Sequence, residues 1–299
     1  NEVLRALNQD AISHSNRLEP DTSSQETLRR LTAAWEYAIT TFEGDITPRF
    51  IAEIATMVDP YQGKYRTTTA TVTGCRGTYV MTNPAKIDRE MNKLVDGVNN
   101  TRKHPVVTAA ELHLYFAIIH PLDDGNGRVA RLLQNVVLYH QEIPPMVIPH
   151  TERPTYLNHI EDALQGFRER SGQENMLGNQ SHAEYRFIEY LVDKCKGSTE
   201  RMAEKMGRLK KYQITITTKK DSKETVRNVR KVLRSALASQ GGTLPVITRS
   251  KLDNTTLEVV TCVPEMALVG ILERCTTKSG KRLKYTLSDC TIPPQSRTR

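Results

Sequence analysis

Through the first 200 residues the apolar positions recur at intervals of three and four. Leu28, Leu31, Trp35, Ile39 and Phe42 form one such stripe after a Ser/Asp-rich start, which predicts an amphipathic helix. Thr47-Pro48 and Asn83-Pro84 each pair a capping residue with proline at the first helical position, so a helix is predicted to begin at each. Thr108-x-x-Glu111 and Ser181-x-x-Glu184 read as capping boxes. One stretch breaks the helical period. YRTTTATVTGCRGTYVM, from Tyr65 to Met81, is rich in Thr, Val and Tyr and is split by Gly74 to Gly77, the pattern of an inserted β-hairpin. Two strands alone are marginal in water, so the hairpin must pack on the helices or receive a partner strand, and its edge suits β-augmentation by a peptide.

After Lys196-Gly197-Ser198 the texture changes. A helical connector rich in Lys, Arg and Met leads to the strand-like YQITITT. A helix with Val226, Val229, Leu233 and Leu237 on one face follows, and then a second apolar segment, TTLEVVTCVPEMALVGIL. ILERCTTKSGKRLKYTL offers two short strands around Ser279-Gly280. Helix, helix and basic hairpin predict a small winged-helix-like α+β domain over 199–299, with Pro264 placed awkwardly inside the expected recognition helix. The fold class expected is mainly α, with a helical domain over 1–198 that carries an inserted hairpin.

Composition narrows this picture. A chain of 299 residues that is 38% hydrophobic and 25% charged is globular, with room for one large domain or two, and neither fibrous nor disordered throughout. No run approaches the roughly 18 to 20 apolar residues of a membrane helix. The opening NEVLRALNQD lacks the basic start and apolar core of a signal peptide, although Asn1 in place of Met leaves room for an upstream segment. The five cysteines, Cys75, Cys195, Cys262, Cys275 and Cys290, are scattered and never form C-x-x-C, which supports neither a disulfide framework nor a zinc site. A reducing cytoplasm is the expected location. Charge divides the chain: residues 1–199 hold 21 Lys and Arg against 25 Asp and Glu, whereas residues 200–299 hold 21 against 9. The basic part is a candidate surface for DNA or for an acidic protein.

The chemistry concentrates between two apolar helices. A helix predicted over Thr108 to Ile119 ends at His120; PLDDGNG follows; then RVARLLQNVVLYH presents Val129, Leu132, Leu133, Val136 and Val137 as a core stripe. The polar loop therefore opens onto a helix N-terminus, where unpaired N–H groups and the dipole favour an anion, and Gly125 and Gly127 let the backbone approach it. Asp124 is a hard oxygen ligand of the kind Mg²⁺ accepts beside water and phosphate oxygens. Arg128 and Arg131, three apart, offer planar forks for phosphate. His120 can take a proton near neutral pH. The acidic spacing of an EF-hand is absent, and so is G-x-x-x-x-G-K-[ST].

HPLDDGNGRVAR, His120 to Arg131, resembles the Fic motif H-x-F-x-[DE]-G-N-G-R-x-x-R, with Leu122 where Phe is usual. The resemblance extends over roughly residues 1 to 195: GKYRTTTATVTG is similar to the family's flap and IPHTERPTYLNHIEDALQG to its helix after the motif. It implies transfer of AMP from ATP to a Ser, Thr or Tyr hydroxyl of a target protein. By that likeness His120 is the base and Asp124 the Mg²⁺ ligand. Asn126 and the backbone of Gly125 and Gly127 hold phosphates, and Arg128 and Arg131 face the β- and γ-phosphates. The intact Gly-Asn-Gly favours AMP over phosphate or phosphocholine as the group transferred. SNRLEP, Ser15 to Pro20, is similar to the family's inhibitory motif [ST]-x-x-x-E-[GN] placed ahead of the core, which implies that Glu19 pairs with Arg131 and fills the γ-phosphate site. Pro20 departs from that motif, and Leu164 stands where many relatives have an Asn near the nucleotide. Two alternatives remain open: removal of AMP by the same site, and a nucleic-acid-binding regulator acting through the C-terminal domain. The partners expected are the hydroxyl-bearing target, DNA or an acidic protein surface, and a second copy of the chain as a homodimer, with no membrane.

Overall fold

A computed structural model describes residues 2–19, 23–61, 63–170, 176–208, 210–217, 222–238, 246–249, 256–261, 265–276 and 282–289. The chain divides into two compact units, 7–200 and 1–6 with 201–299.

The larger unit is helical. Its elements are α1 (Glu2–Arg17), α2 (Gln25–Thr41), α3 (Pro48–Val58), the hairpin β1 (Thr71–Thr73) and β2 (Thr78–Val80), α4 (Pro84–Asn99), α5 (Pro105–Ile119), α6 (Asn126–His140), a 3₁₀ turn over His150–Glu152, α7 (Arg153–Glu169) and α8 (His182–Arg208). The start signals act as expected at Thr47, whose hydroxyl accepts from Phe50 N–H, and at Asn83, whose Oδ1 accepts from Ala85 N–H. The Ser181 box also forms: Glu184 Oε2 accepts from Ser181 N–H at 2.8 Å, and Ser181 Oγ accepts from Glu184 N–H at 3.3 Å. The Thr108 box does not. Pro105 starts α5 three residues earlier, and the His104 ring caps it by accepting from Val106 N–H, so Thr108 lies inside the helix and bonds back to His104 O.

α5 is the central rod. Every residue from Thr108 to Phe116 is buried, and a helix buried around its circumference must be wrapped by others. It packs chiefly on α6, and also on α4 and α7, while α2 and α3 cover α6. A single cluster holds Trp35, Ile51, Ile54, Leu94, Tyr115, Phe116, Leu133 and Phe187. Gly197 and Ser198, where the texture of the sequence changes, lie within α8, since helix formers flank them and a lone Gly costs only about 1 kcal/mol.

The C-terminal unit corrects the winged-helix expectation. Its elements run β3 (Lys210–Ile216), α9 (Ser222–Ala238), β4 (Val246–Arg249), β5 (Thr256–Thr261), α10 (Glu265–Glu273) and β6 (Tyr285–Asp289). The sheet is antiparallel with order β4-β5-β3-β6, a βαββαβ arrangement. TTLEVVT is a strand and not the start of a recognition helix, because Leu257 and Val259 alternate inward beside Tyr212, Ile214 and Ile216. α9 and α10 cover that face with Val226, Val229, Leu233, Leu268 and Ile271. The expected last hairpin splits: Thr276 bridges to Arg282, and β6 pairs with β3. Ser279-Gly280, Pro264, Cys262 and Cys290 lie outside the described residues. Cys75, Cys195 and Cys275 are free thiols.

Candidate active site

His120 caps α5 in the left-handed region, φ 54° and ψ 60°, with its N–H donating to Phe116 O at 2.9 Å. For a non-glycine residue that conformation costs about 1 kcal/mol, and it turns the chain sharply out of the helix. The half-buried imidazole bonds to the Ala117 backbone carbonyl, which needs one ring N–H and leaves the other nitrogen as an acceptor. Burial holds its pKa below the ordinary histidine value, with Arg66 acting in the same sense and the Ala117 carbonyl, Asp124 and Glu19 opposing. The neutral form that a base requires therefore prevails at pH 7.

The loop beyond is closed by Asn126. Its Oδ1 accepts from Leu122 N–H at 2.9 Å and its Nδ2 donates to Leu122 O at 2.8 Å. That amide, expected to hold phosphate, is engaged within the loop; what remains for a ligand is the Asn126 backbone N–H. Gly125 provides the N-cap of α6 at φ 77° with no side chain on the helix end, so the N–H groups of the first turn keep their outward donors. Asp124 is exposed, its Oδ1 accepting from Gly125 N–H and its Oδ2 from Arg128 Nη2 at 2.9 Å. Arg128 is buried, and its Nε–H has no partner. An orphaned buried guanidinium donor at an uncapped helix start suits an anion with several oxygens. Among the described residues no group of three or more His, Cys, Asp or Glu could enclose a metal ion. A cation here would take one carboxylate from the protein and the rest from water and ligand, which fits Mg²⁺.

Arg131 lies one turn further into α6 and meets α1. Its Nε donates to Ser15 Oγ at 2.8 Å, its Nη2 to Glu19 Oε1 at 2.8 Å, and its Nη1 to Tyr156 Oη at 3.2 Å. The Glu19 carboxylate rests against Gly127: a Cβ built there would come within 2.7 Å of Glu19 Oε1 and 2.9 Å of Arg131 Nη1. Burial pushes the Glu19 carboxyl up, but Arg131, then Arg128 and Arg153, more than offset it and hold it below the usual carboxylate range. Arg153 Nε also donates to Leu18 O, which fixes the turn that delivers Glu19. Behind Arg131 the network continues inward. His113 is wholly buried between Tyr156 Oη at 2.9 Å and Gln134 Oε1 at 2.6 Å, and burial pushes its pKa down to about 3. Since Gln134 Oε1 only accepts, His113 carries its proton on Nδ1, and the Tyr156 hydroxyl donates to Nε2 while accepting from Arg131.

The hairpin is held on α7 chiefly at its tip. Glu161 on α7 accepts from Cys75 N–H at 2.9 Å, from Arg76 N–H at 2.8 Å and from Tyr79 Oη at 2.9 Å. Arg76 pairs with Asp162, and Arg168 donates to Val80 O with its guanidinium 5.2 Å from the Tyr79 ring centroid. The structure thus gathers His120, Asp124, Gly125, Asn126, Gly127, Arg128, Arg131 and Glu19 around one helix start. Leu164 is buried in the core cluster. Sequence reading missed Arg66, His113, Tyr156 and Glu161. Only His113 carries a signal, as a polar residue in the apolar run LHLYFAII, and that signal does not distinguish burial from exposure; Arg66, Tyr156 and Glu161 lie in polar stretches and carry none.

Comparison with known proteins follows from this geometry. Residues 45–138 match the Fic/DOC family. The chain is 34% identical over 107 residues to a protein adenylyltransferase Fic of Nematostella vectensis, a match over 35% of this chain and 24% of that protein. The matched stretch thus spans about a quarter of the curated relative's length. A Fic domain containing signaling protein from Bacteroides thetaiotaomicron superposes with a TM-score of 0.57 at 23% identity, covering 68% of this chain and 91% of its own. A Fic family protein from Desulfovibrio desulfuricans gives 0.56 at 16% identity over 88% of both chains. These two likenesses concern the fold. It is through residues 45–138, which hold the hairpin, α5, α6 as far as Leu138 and the loop between the two helices, that this chain matches the Fic/DOC family.

Proposed function

We propose that this protein is an adenylyltransferase that moves AMP from ATP to a Ser, Thr or Tyr hydroxyl of a target protein and is held inactive by Glu19. The observation that carries the reading is the Glu19 carboxylate on Arg131 and over Gly127, where an incoming phosphate would need both the guanidinium and the helix start. In the productive state the triphosphate takes the free N–H groups of Gly127 and Arg128 and the Arg128 and Arg131 forks. His120 removes the proton of the attacking hydroxyl, whose oxygen bonds to the α-phosphorus as the bond from that phosphorus to the bridging oxygen breaks and pyrophosphate departs. Asp124 would hold Mg²⁺, which supplies charge neutralisation on the phosphate oxygens. The flap edge, β1 and β2, offers backbone pairing that would align the target chain.

Incubation with α-labelled ATP tests this directly. Glu19→Gly is expected to label protein, while Glu19→Gly with His120→Ala is expected to fall by 10²-fold or more, about what loss of a positioned base costs. Equal labelling of the two forms would remove His120 from the role assigned. Release of AMP from a modified substrate, lost in Glu19→Gly, would instead favour the reverse reaction.

A further inference from the structure

Arg66 is buried to 2% exposure, and the acidic group whose charge acts on it is Asp123. A buried cation is costly unless its hydrogen bonds are made, so its partners matter. All are main-chain carbonyls. Nε donates to His120 O at 2.7 Å, Nη1 to Thr68 O at 2.7 Å and Nη2 to Thr82 O at 2.5 Å. The residue's own N–H donates to Pro121 O at 2.8 Å. Thr68 precedes β1 and Thr82 follows β2, so one planar fork spans the neck of the hairpin. The same fork grips the peptide that leaves His120.

An apolar side chain would fill this volume without the charge. Only a guanidinium reaches three carbonyls in one plane, and a lysine nitrogen on a single stem does not reproduce that fork. The need for it is visible at His120. Its left-handed backbone is fixed at the N–H by Phe116 O and at the carbonyl by Arg66, so the imidazole's direction is set between the end of α5 and the neck of the flap.

We propose that Arg66 is a positioning residue that couples the order of the flap neck to the orientation of His120. A target strand that orders the hairpin would thereby also fix the base. The catalytic meaning rests on the adenylyltransferase reading; the mechanical coupling does not. Glu161 provides the contrast, because it holds the opposite end of the hairpin, at Cys75 and Arg76, and touches neither the neck nor the loop.

Amide hydrogen exchange on the full chain tests the coupling, with labelling from α-labelled ATP as a second readout. In Arg66→Lys the amides of Arg66, Met81 and His120 should all exchange about tenfold or more faster, whereas Glu161→Gln should speed only Cys75 and Arg76. Combined with Glu19→Gly, Arg66→Lys should lower kcat for labelling by about 10- to 100-fold while the KM for ATP stays within about twofold. Faster exchange on one side of Arg66 alone, or equal loosening of the loop by Glu161→Gln, would overturn the proposal. Should Arg66→Lys unfold, native-state exchange of the unmutated chain against denaturant decides: the Met81 and His120 amides should open in one shared step, and separate openings would refute the coupling. If Glu19→Gly fails to label at all, the activity assignment is lost while the exchange result still judges Arg66.

Discussion

At the scale of single residues, burial of charge and of titratable groups governs what the site can do. His120 lies below the ordinary histidine pKa because partial burial of its ring penalises the charged form. For the Glu19→Gly form, kcat/KM should therefore be flat through neutral pH and fall only at a pH below the usual imidazole range; a midpoint at or above about 6.5 would contradict the environment described. His113 makes a separate prediction. It stays neutral in the folded chain down to about 3, whereas the unfolded chain binds a proton near 6.5. Below that unfolded value, unfolding takes up one extra proton, so stability is complete above it and declines as the pH falls toward 3. Chemical denaturation of His113→Gln should show a shallower acid decline than the parent. Leu122 is the third case. It is 1% exposed and borders a solvent-open pocket of about 350 Å³ shared with Pro48, Ala52, Tyr65 and Asp88. Leu122→Phe, which restores the ring the motif usually carries, should raise stability by about 0.5 to 1 kcal/mol in urea, since cavity filling commonly gives that much. A lowered midpoint would mean that the ring does not fit.

Elements differ in how legible they are before folding. α3 and α4 announce themselves by a cap followed by proline, and α2 by a Ser-rich start and a 3.6-residue stripe, all local signals that tertiary packing had no reason to override. α5 shows the limit: Thr108 and Glu111 have the spacing of a box, yet Pro105 and His104 capture the helix start first, and Glu111 is used by Lys103 and Gln180 instead. The hairpin is readable from Thr, Val and Gly, but its anchorage is not, because Glu161 comes from a helix 85 positions away and its carboxylate has no sequence mark. In the C-terminal unit the apolar residues of β5 were visible, while their period of two was masked by the apolar helix that follows. The loop of the site was the most legible part, since its glycines, carboxylate and arginines all lie within two turns of a helix start. Arg131's partners Ser15 and Tyr156 were less so, being supplied by two other helices. Tyr156→Phe tests that network: it removes the acceptor for Arg131 Nη1 and the donor for His113, and should cost about 1 to 3 kcal/mol in equilibrium unfolding.

At the scale of the whole molecule, charge and core are divided alike. Each unit has its own apolar cluster, and the segment of residues 200–299 carries the positive excess. The outer side of α9 exposes Arg227, Lys231 and Arg234. Use of that surface on a polyanion predicts binding of the full chain to duplex DNA that weakens steeply between two salt concentrations and is lost on reversing those three charges; a flat salt response would point to a protein partner. No helix among the described residues is long and apolar enough to cross a membrane. The proposed brake has a further property that follows from its attachment. Glu19 reaches Arg131 from the same polypeptide, so it acts as a tethered competitor whose local concentration is set by chain geometry and not by how much protein is present. Dilution cannot loosen it and crowding of identical molecules cannot tighten it. A factor that peels away α1, by contrast, would act by mass action, so the released fraction would track the free concentration of that factor.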